Sequence, residues 1–160
     1  MKSYKATGEL QTFRCIWMSN KRSFISGLPL GQFSINFFAH VLSKKQFPHF
    51  RLYLGGIRTL SSLEHTLLDS GTESQRISYS KAFKTCDWQK LYTLEDELRE
   101  LYADTFPAKG PGGMIMKYSE EEVSEKIRSL NRSYLDTLDN VPTDTIEQIK
   151  SVLLLGSEGQ

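Results

Sequence analysis

The feature that most constrains this chain is a pair of amphipathic segments between residues 87 and 138. In the first segment, leucines recur at steps of three, four and three residues, which places them on one stripe of a helix. The second segment has other apolar residues at a similar spacing. The two stripes consist of Leu91, Leu94, Leu98 and Leu101, and of Val123, Ile127, Leu130, Tyr134 and Leu138. Because such stripes can cover each other, the sequence predicts a helical hairpin here.

The residues that flank these segments predict where the helices begin and end. Asp87 is placed to cap the first helix. Ser119 and Glu122 have the spacing of a capping box. In this motif the serine side-chain oxygen accepts from the amide three residues on, and the glutamate side chain accepts from the serine amide. A further apolar stripe over residues 146–153 predicts a last helix, and Gly156 is expected to end it.

Alternating residues near the amino terminus predict strands. Over residues 12–18, the apolar residues Phe13, Cys15 and Trp17 alternate with the residues between them. A period of two is typical of a strand that has one face on a core. The polar residues 19–22 follow and predict the turn of a basic hairpin.

Shorter patterns occupy the rest of the first half. Residues 32–43 and 57–69 have apolar residues at helical spacing and predict two short helices. Residues 50–54 predict a strand between these helices, and residues 76–83 predict a polar strand at a sheet edge. The predicted fold is therefore α+β, in which small N-terminal antiparallel strands with two short helices precede a C-terminal helical hairpin and a final helix.

Charge divides the predicted single domain, residues 1–160, into two parts. Residues 1–60 contain nine basic residues and one acidic residue, a net charge of +8. The whole chain has 20 basic and 19 acidic residues, so residues 61–160 contain 11 basic and 18 acidic ones, a net charge of −7. The sequence therefore predicts a basic, aromatic-rich α/β part over residues 1–60 and an acidic helical part over residues 85–155.

The basic part combines its cations with ten aromatic residues. Cations neutralise phosphates and release counterions, and exposed rings stack on unpaired bases. This composition predicts a non-catalytic binding or accessory protein. It would contact nucleic acid, single-stranded rather than duplex, or another polyanion through the basic part, and a protein partner through the helical part. The predicted nucleic-acid-binding residues are Arg14, Lys21, Arg22, Lys44, Lys45, Arg51 and Arg58.

Two other functions are compatible with the sequence. The divided charge also suits a regulator, inhibitor or adaptor that acts by protein contacts alone. A small metal-independent enzyme that uses His65 or His49 is a third hypothesis, although no serine or cysteine has a recognisable nucleophile setting. Cys15 and Cys86 lack the paired spacing of thiolate metal sites, so no metal, cofactor or catalytic residue is predicted. No apolar run resembles a secretory signal or a membrane span, which predicts a cytoplasmic protein without a membrane partner.

Overall fold

The computed structural model describes residues 3–4 and 7–155. This part of the chain contains six α-helices and a sheet of two strands. In chain order the elements are α1 (Glu9–Ser19), β1 (Phe38–His40), β2 (Ile57–Thr59), α2 (Ser62–Ser70), α3 (Glu73–Ala82), α4 (Gln89–Thr105), α5 (Glu120–Asp136) and α6 (Thr143–Lys150). None of these helices has the length and apolar character needed to cross a bilayer. The predicted helix end at Gly156 lies outside the described residues.

The C-terminal elements agree with the prediction, and the α+β fold class with strands in the N-terminal part is confirmed. Helices α4 and α5 form in the two segments of the predicted hairpin, and α6 is the final helix. The capping box forms as expected, since Ser119 Oγ accepts from the Glu122 amide at 3.1 Å and Glu122 Oε1 accepts from the Ser119 amide at 3.2 Å. Helix α4 begins after Trp88, and Asp87 Oδ1 accepts from the Gln89 amide at 3.0 Å.

The predicted strand over residues 12–18 is wrong, because these residues belong to α1. The buried residues of α1 include Glu9, Thr12 and Phe13. Thr12 and Phe13 follow Glu9 by three and four residues, so all three lie on one face of a helix. Two of these residues are polar, so they do not contribute to an apolar pattern. Thr12 is buried at little cost because its hydroxyl donates to the Gly8 carbonyl at 3.1 Å. The alternation of apolar residues in this segment therefore does not indicate a strand, because the segment is helical.

The N-terminal strands are instead β1 and β2, which pair antiparallel. Strand β1 lies within the predicted helix over residues 32–43, and β2 replaces the first turn of the predicted helix over residues 57–69. The backbone pairing continues beyond the strands, since the Leu60 amide donates to the Phe37 carbonyl at 2.8 Å. Each strand has three residues, which is too short to show a period of two in the sequence.

Two further predicted strands are also wrong. Residues 50–54 run from the last residue of one 3₁₀ turn, Pro48–Phe50, to the first residue of a second, Leu54–Gly56. Residues 76–83 fall almost entirely in α3, where Tyr79 is the buried residue. A helix that buries so little has no apolar stripe, so its sequence gives no helical period.

The basic and acidic parts share their hydrophobic core. Leu98 of α4 and Ile127 of α5 pack in one buried cluster with Leu42 and Phe50 of the basic part. A second buried cluster joins Cys15 of α1 to residues of α5 and α6. The two parts of the chain therefore differ in charge but contribute to the same hydrophobic core.

Candidate nucleic-acid interface

The predicted nucleic-acid-binding residues occupy three different settings in the structure. Lys44 and Arg51 pair with a buried carboxylate. Arg58 is half-buried beside aromatic rings. The remaining four are exposed and have no carboxylate within ion-pair distance in residues 3–4 and 7–155: Arg14, Lys21, Arg22 and Lys45.

Lys44 and Arg51 both contact Glu9 on the first turn of α1. Glu9 is 3% exposed, and Lys44 Nζ lies 3.0 Å from its Oε2, while Arg51 Nε lies 3.7 Å from its Oε1. The neighbouring His40 ring nitrogen lies 2.9 Å from the Arg51 carbonyl oxygen, and burial lowers the pKa of His40. A buried carboxylate needs such partners, because leaving it unpaired is costly. These two cations therefore have a structural role.

Replacing Lys44 by methionine is expected to lower the free energy of unfolding by about 1–2 kcal/mol, because Glu9 loses its shorter charge-assisted bond but keeps Arg51. Urea denaturation followed by circular dichroism measures the change. Lys45→Met is the matched control, since this neighbouring lysine is exposed and should change stability by less than about 0.5 kcal/mol. Equal effects of the two substitutions would show that the pairing with Glu9 contributes nothing.

Arg58 lies in the middle of β2 and is half-buried. Its Nη1 donates to the carbonyls of Gly55 and Ile57 at 2.8 and 3.1 Å. The guanidinium carbon lies 5.0 Å from the centre of the Phe24 ring and 5.5 Å from that of Tyr134. These contacts fix the position of the guanidinium group between β2 and α5.

Five residues at the exposed side of α1 form an aromatic–basic surface: Arg14, Trp17, Lys21, Phe33 and Phe37. The Arg14 guanidinium carbon lies 4.8 Å from the centre of the Phe33 ring, and Lys21 Nζ lies 5.8 Å from that of Trp17. Trp17 contacts both phenylalanines at centroid distances of 6.0 Å. The cations are exposed and the rings are half-buried. This surface thus places exposed cations directly beside aromatic rings that are only partly buried.

No protein-family model matches this chain, and neither a curated protein nor a solved structure is significantly similar to it. A function can therefore be inferred only from the geometry and charge of the chain itself.

The two other exposed cations differ in their distance from this surface. Arg22 directly follows Lys21, and its Nη1 donates to the Gly27 carbonyl at 3.0 Å. Lys45 lies in the turn after β1, next to Lys44, where its amide donates to the Ser43 hydroxyl. Arg22 therefore extends the aromatic–basic surface along the chain, whereas Lys45 belongs to a different segment.

The structure also contains a buried carboxylate that is not among the residues predicted from the sequence. Glu64 is 0% exposed, and its Oε1 accepts from Ser23 Oγ at 2.5 Å and from the Ser61 amide at 2.9 Å. Its Oε2 accepts from Ser26 Oγ at 2.6 Å and from the Tyr79 hydroxyl at 2.7 Å. Burial alone raises the pKa of Glu64, but these hydrogen bonds outweigh burial and hold the pKa below its ordinary value. The capping-box spacing of Ser61 and Glu64 was the available sequence cue.

The two histidines of the enzyme hypothesis contact different parts of the chain. His65 Nδ1 lies 2.7 Å from the Asn36 carbonyl oxygen, and its Nε2 lies 3.3 Å from Asp69 Oδ2. The His49 ring lies 4.7 Å from the Phe106 ring, and burial lowers the pKa of His49. None of these contacts brings a nucleophile to a histidine. Among the residues described, no group of three or more His, Cys, Asp or Glu side chains is placed to hold a metal ion.

Proposed function

We propose that this protein is a non-catalytic accessory protein that binds single-stranded nucleic acid through the aromatic–basic surface. The observation that carries the proposal is the contact of two exposed cations, Arg14 and Lys21, with the half-buried rings of Phe33 and Trp17. A contact with a protein partner through the helical part, the other half of the sequence hypothesis, stays a prediction.

Each component of this surface has a matching group in a single strand. A cation neutralises a backbone phosphate and releases its counterions, and this term is independent of sequence. An accessible ring can stack on an unpaired base, which contributes roughly 1–3 kcal/mol per base. The bases of a duplex are already stacked on one another. The combination of cations and rings therefore favours single strands.

The acidic part of the chain restricts where a polyanion can bind. Residues 61–160 have a net charge of −7, and α4 contains five carboxylates and two basic side chains. Such a surface repels a phosphate backbone. The nucleic acid is therefore expected to contact the side of the molecule that contains α1, and not the side formed by α4.

Binding to single strands is expected to weaken as the salt concentration rises. If Arg14, Lys21 and Arg22 each neutralise one phosphate, log Kobs falls against log[salt] with a slope of about −2. Fluorescence anisotropy with labelled oligo(dT) and oligo(rU) over a range of NaCl concentrations measures this slope. The double substitution Arg14→Gln and Lys21→Gln should bring the slope to about −0.7, because one phosphate contact remains.

A charge-matched variant provides the control. The double substitution Lys81→Gln and Lys84→Gln removes the same charge from exposed positions at the end of α3 and just after it, and it should leave the slope unchanged. A base that stacks on Trp17 should also quench its fluorescence, and Trp17→Phe should abolish this change while the buried Trp88 remains. A salt-independent affinity, or the same loss in both double variants, would contradict the proposal.

A further inference from the structure

A cavity of about 410 Å³ lies between α1, β2 and the carboxyl end of α5. Its apolar lining comes from four segments of the chain and includes Ile16, Leu54, Leu138 and Ile149. The cavity is partly open to solvent. Sites for small molecules have volumes of roughly 300–1,000 Å³, apolar walls and a few fixed polar groups. The volume and lining of this cavity therefore suit a small organic ligand.

Arg58 supplies the fixed polar group of this cavity. Both hydrogens of its Nη1 are used by the carbonyls of Gly55 and Ile57. The Nε–H and Nη2–H donors form the opposite edge of the guanidinium, and this edge has no acceptor in residues 3–4 and 7–155. Two parallel donors on one edge match the two oxygens of a carboxylate. The protein therefore holds a bidentate donor in place without using it.

Arg58 has no ion-pair partner in the described part of the chain, although Asp87 and Glu97 line a second, more open pocket that Arg58 also borders. No carboxylate in the described part of the chain lies within 4.0 Å of it, although the exposed Asp139 also lines the cavity. Cys15 lines the cavity as well, but burial raises the pKa of its thiol to about 11, so the sulfur is neutral at physiological pH. An anionic ligand would therefore meet one unpaired cation.

We propose that this cavity binds a small monocarboxylate with an apolar body, whose carboxylate accepts from the Nε and Nη2 edge of Arg58. The apolar body occupies the space lined by Leu54, Leu138 and Ile149. A single charge suits the site because Arg58 is the cation that lines the cavity and Asp139 disfavours more highly charged ligands. This site is independent of the aromatic–basic surface, which lies on the other side of α1.

A pair of probes that differ in charge tests the proposal. Isothermal titration calorimetry and saturation-transfer NMR are carried out with 2-naphthoate and with 2-naphthamide, which has nearly the same size and no charge. The carboxylate is expected to bind at least about ten-fold more tightly than the amide, because hydrogen bonds between charged groups are lost with the amide. Octanoate and octanamide repeat this comparison with a flexible apolar body. The carboxylate should again bind more tightly than the amide.

Four variants locate the bound probe. Arg58→Met should weaken 2-naphthoate binding by roughly ten- to hundred-fold, and Arg58→Lys should recover only part of this loss because lysine cannot form the bidentate contact. Val141→Trp leaves Arg58 intact and fills the cavity, so it should also weaken binding at least ten-fold. Lys90→Met is the control, since Lys90 lies 6.0 Å from the same Phe24 ring but does not line this cavity. Thermal unfolding confirms that each variant is folded.

Three results would overturn the proposal. The first is equal binding of the carboxylate and the amide. The second is wild-type affinity in folded Val141→Trp, which would place the probe elsewhere. The third is tight binding of adenosine 5′-monophosphate together with absent binding of 2-naphthoate, which would assign the cavity to phosphates. Loss of nucleic-acid binding in the Arg14 and Lys21 variant with unchanged 2-naphthoate binding would confirm that the two sites are separate.

Discussion

Replacing Glu64 by alanine is expected to lower the free energy of unfolding by about 3–5 kcal/mol. The substitution removes the acceptor of three hydroxyl groups and one amide, and the hydroxyls of Ser23, Ser26 and Tyr79 lie in a site from which water is excluded. A buried donor without an acceptor costs about 1–3 kcal/mol. These donors come from the loop after α1 and from α3, so the loss affects several elements at once. Urea denaturation at pH 7 measures the change.

Glu122→Ala is the matched control for this prediction. Glu122 has the same capping-box position in α5 that Glu64 has in α2, but it is exposed. Its removal should cost about 0.5–1 kcal/mol, the usual value of a helix cap. A similar cost at both positions would show that the buried network around Glu64 adds nothing to the cap.

The stability contributed by Glu64 is also expected to depend on pH. Because its pKa in the folded protein is below the ordinary value, this contribution is fully present above the unfolded pKa of about 4.3 and is lost as the pH falls through the folded pKa. Tyr79 stays a neutral donor, since burial and the Glu64 carboxylate raise its pKa. Between about pH 5 and pH 2, stability should therefore fall more steeply in the wild type than in Glu64→Ala. Parallel pH profiles would contradict this assignment.

Replacing Asn131 by leucine is expected to lower the free energy of unfolding by about 2–4 kcal/mol. Asn131 is a buried residue of α5, and its Oδ1 accepts from the Leu54 amide at 2.8 Å while its Nδ2 donates to the Leu52 carbonyl at 3.1 Å. Leucine has a similar volume but leaves both backbone groups unpaired. The same backbone leads into Gly55, whose carbonyl orients Arg58, so 2-naphthoate binding should weaken together with stability.

Ser133→Leu is the control for this substitution. Ser133 lies two positions further along α5 and is exposed, so the same new side chain is placed toward solvent. Its effect on stability should be within about 0.5 kcal/mol. If Asn131→Leu unfolds at the same urea concentration as Ser133→Leu, the hydrogen bonds of Asn131 to the backbone of residues 52–54 do not contribute to stability in solution.

The C-terminal helices could be predicted from the sequence because their core faces are apolar. Leu98 and Ile127 belong to long stripes that keep a helical period, and both are buried in the structure. The amino-terminal helix could not be predicted in this way, since its buried face includes Glu9 and Thr12. Those side chains are buried with hydrogen-bonding partners from elsewhere in the chain or from the preceding turn, and a local pattern does not show such partners.

The helical conformation of α1 also brings together residues that a strand would separate. In a strand, Arg14 and Trp17 point to opposite faces because they are an odd number of residues apart. In a helix, residues three apart are neighbours on one face. Composition alone does not distinguish Lys44 and Arg51 from Arg14, because all three are basic residues of the first 60. Only the tertiary contact with Glu9 separates them.

The shared core links the basic surface to the order in which the chain is synthesised. A ribosome delivers α1 and both strands first, while the residues that bury Cys15 and Phe50 arrive later with α4, α5 and α6. A shortened chain that ends before α4 would keep 12 of the 20 basic residues and 5 of the 19 acidic ones, a net charge of +7, but would expose these apolar side chains to water. Helix α1, which contains Arg14 and Trp17, therefore packs in part on helices whose net charge repels a polyanion.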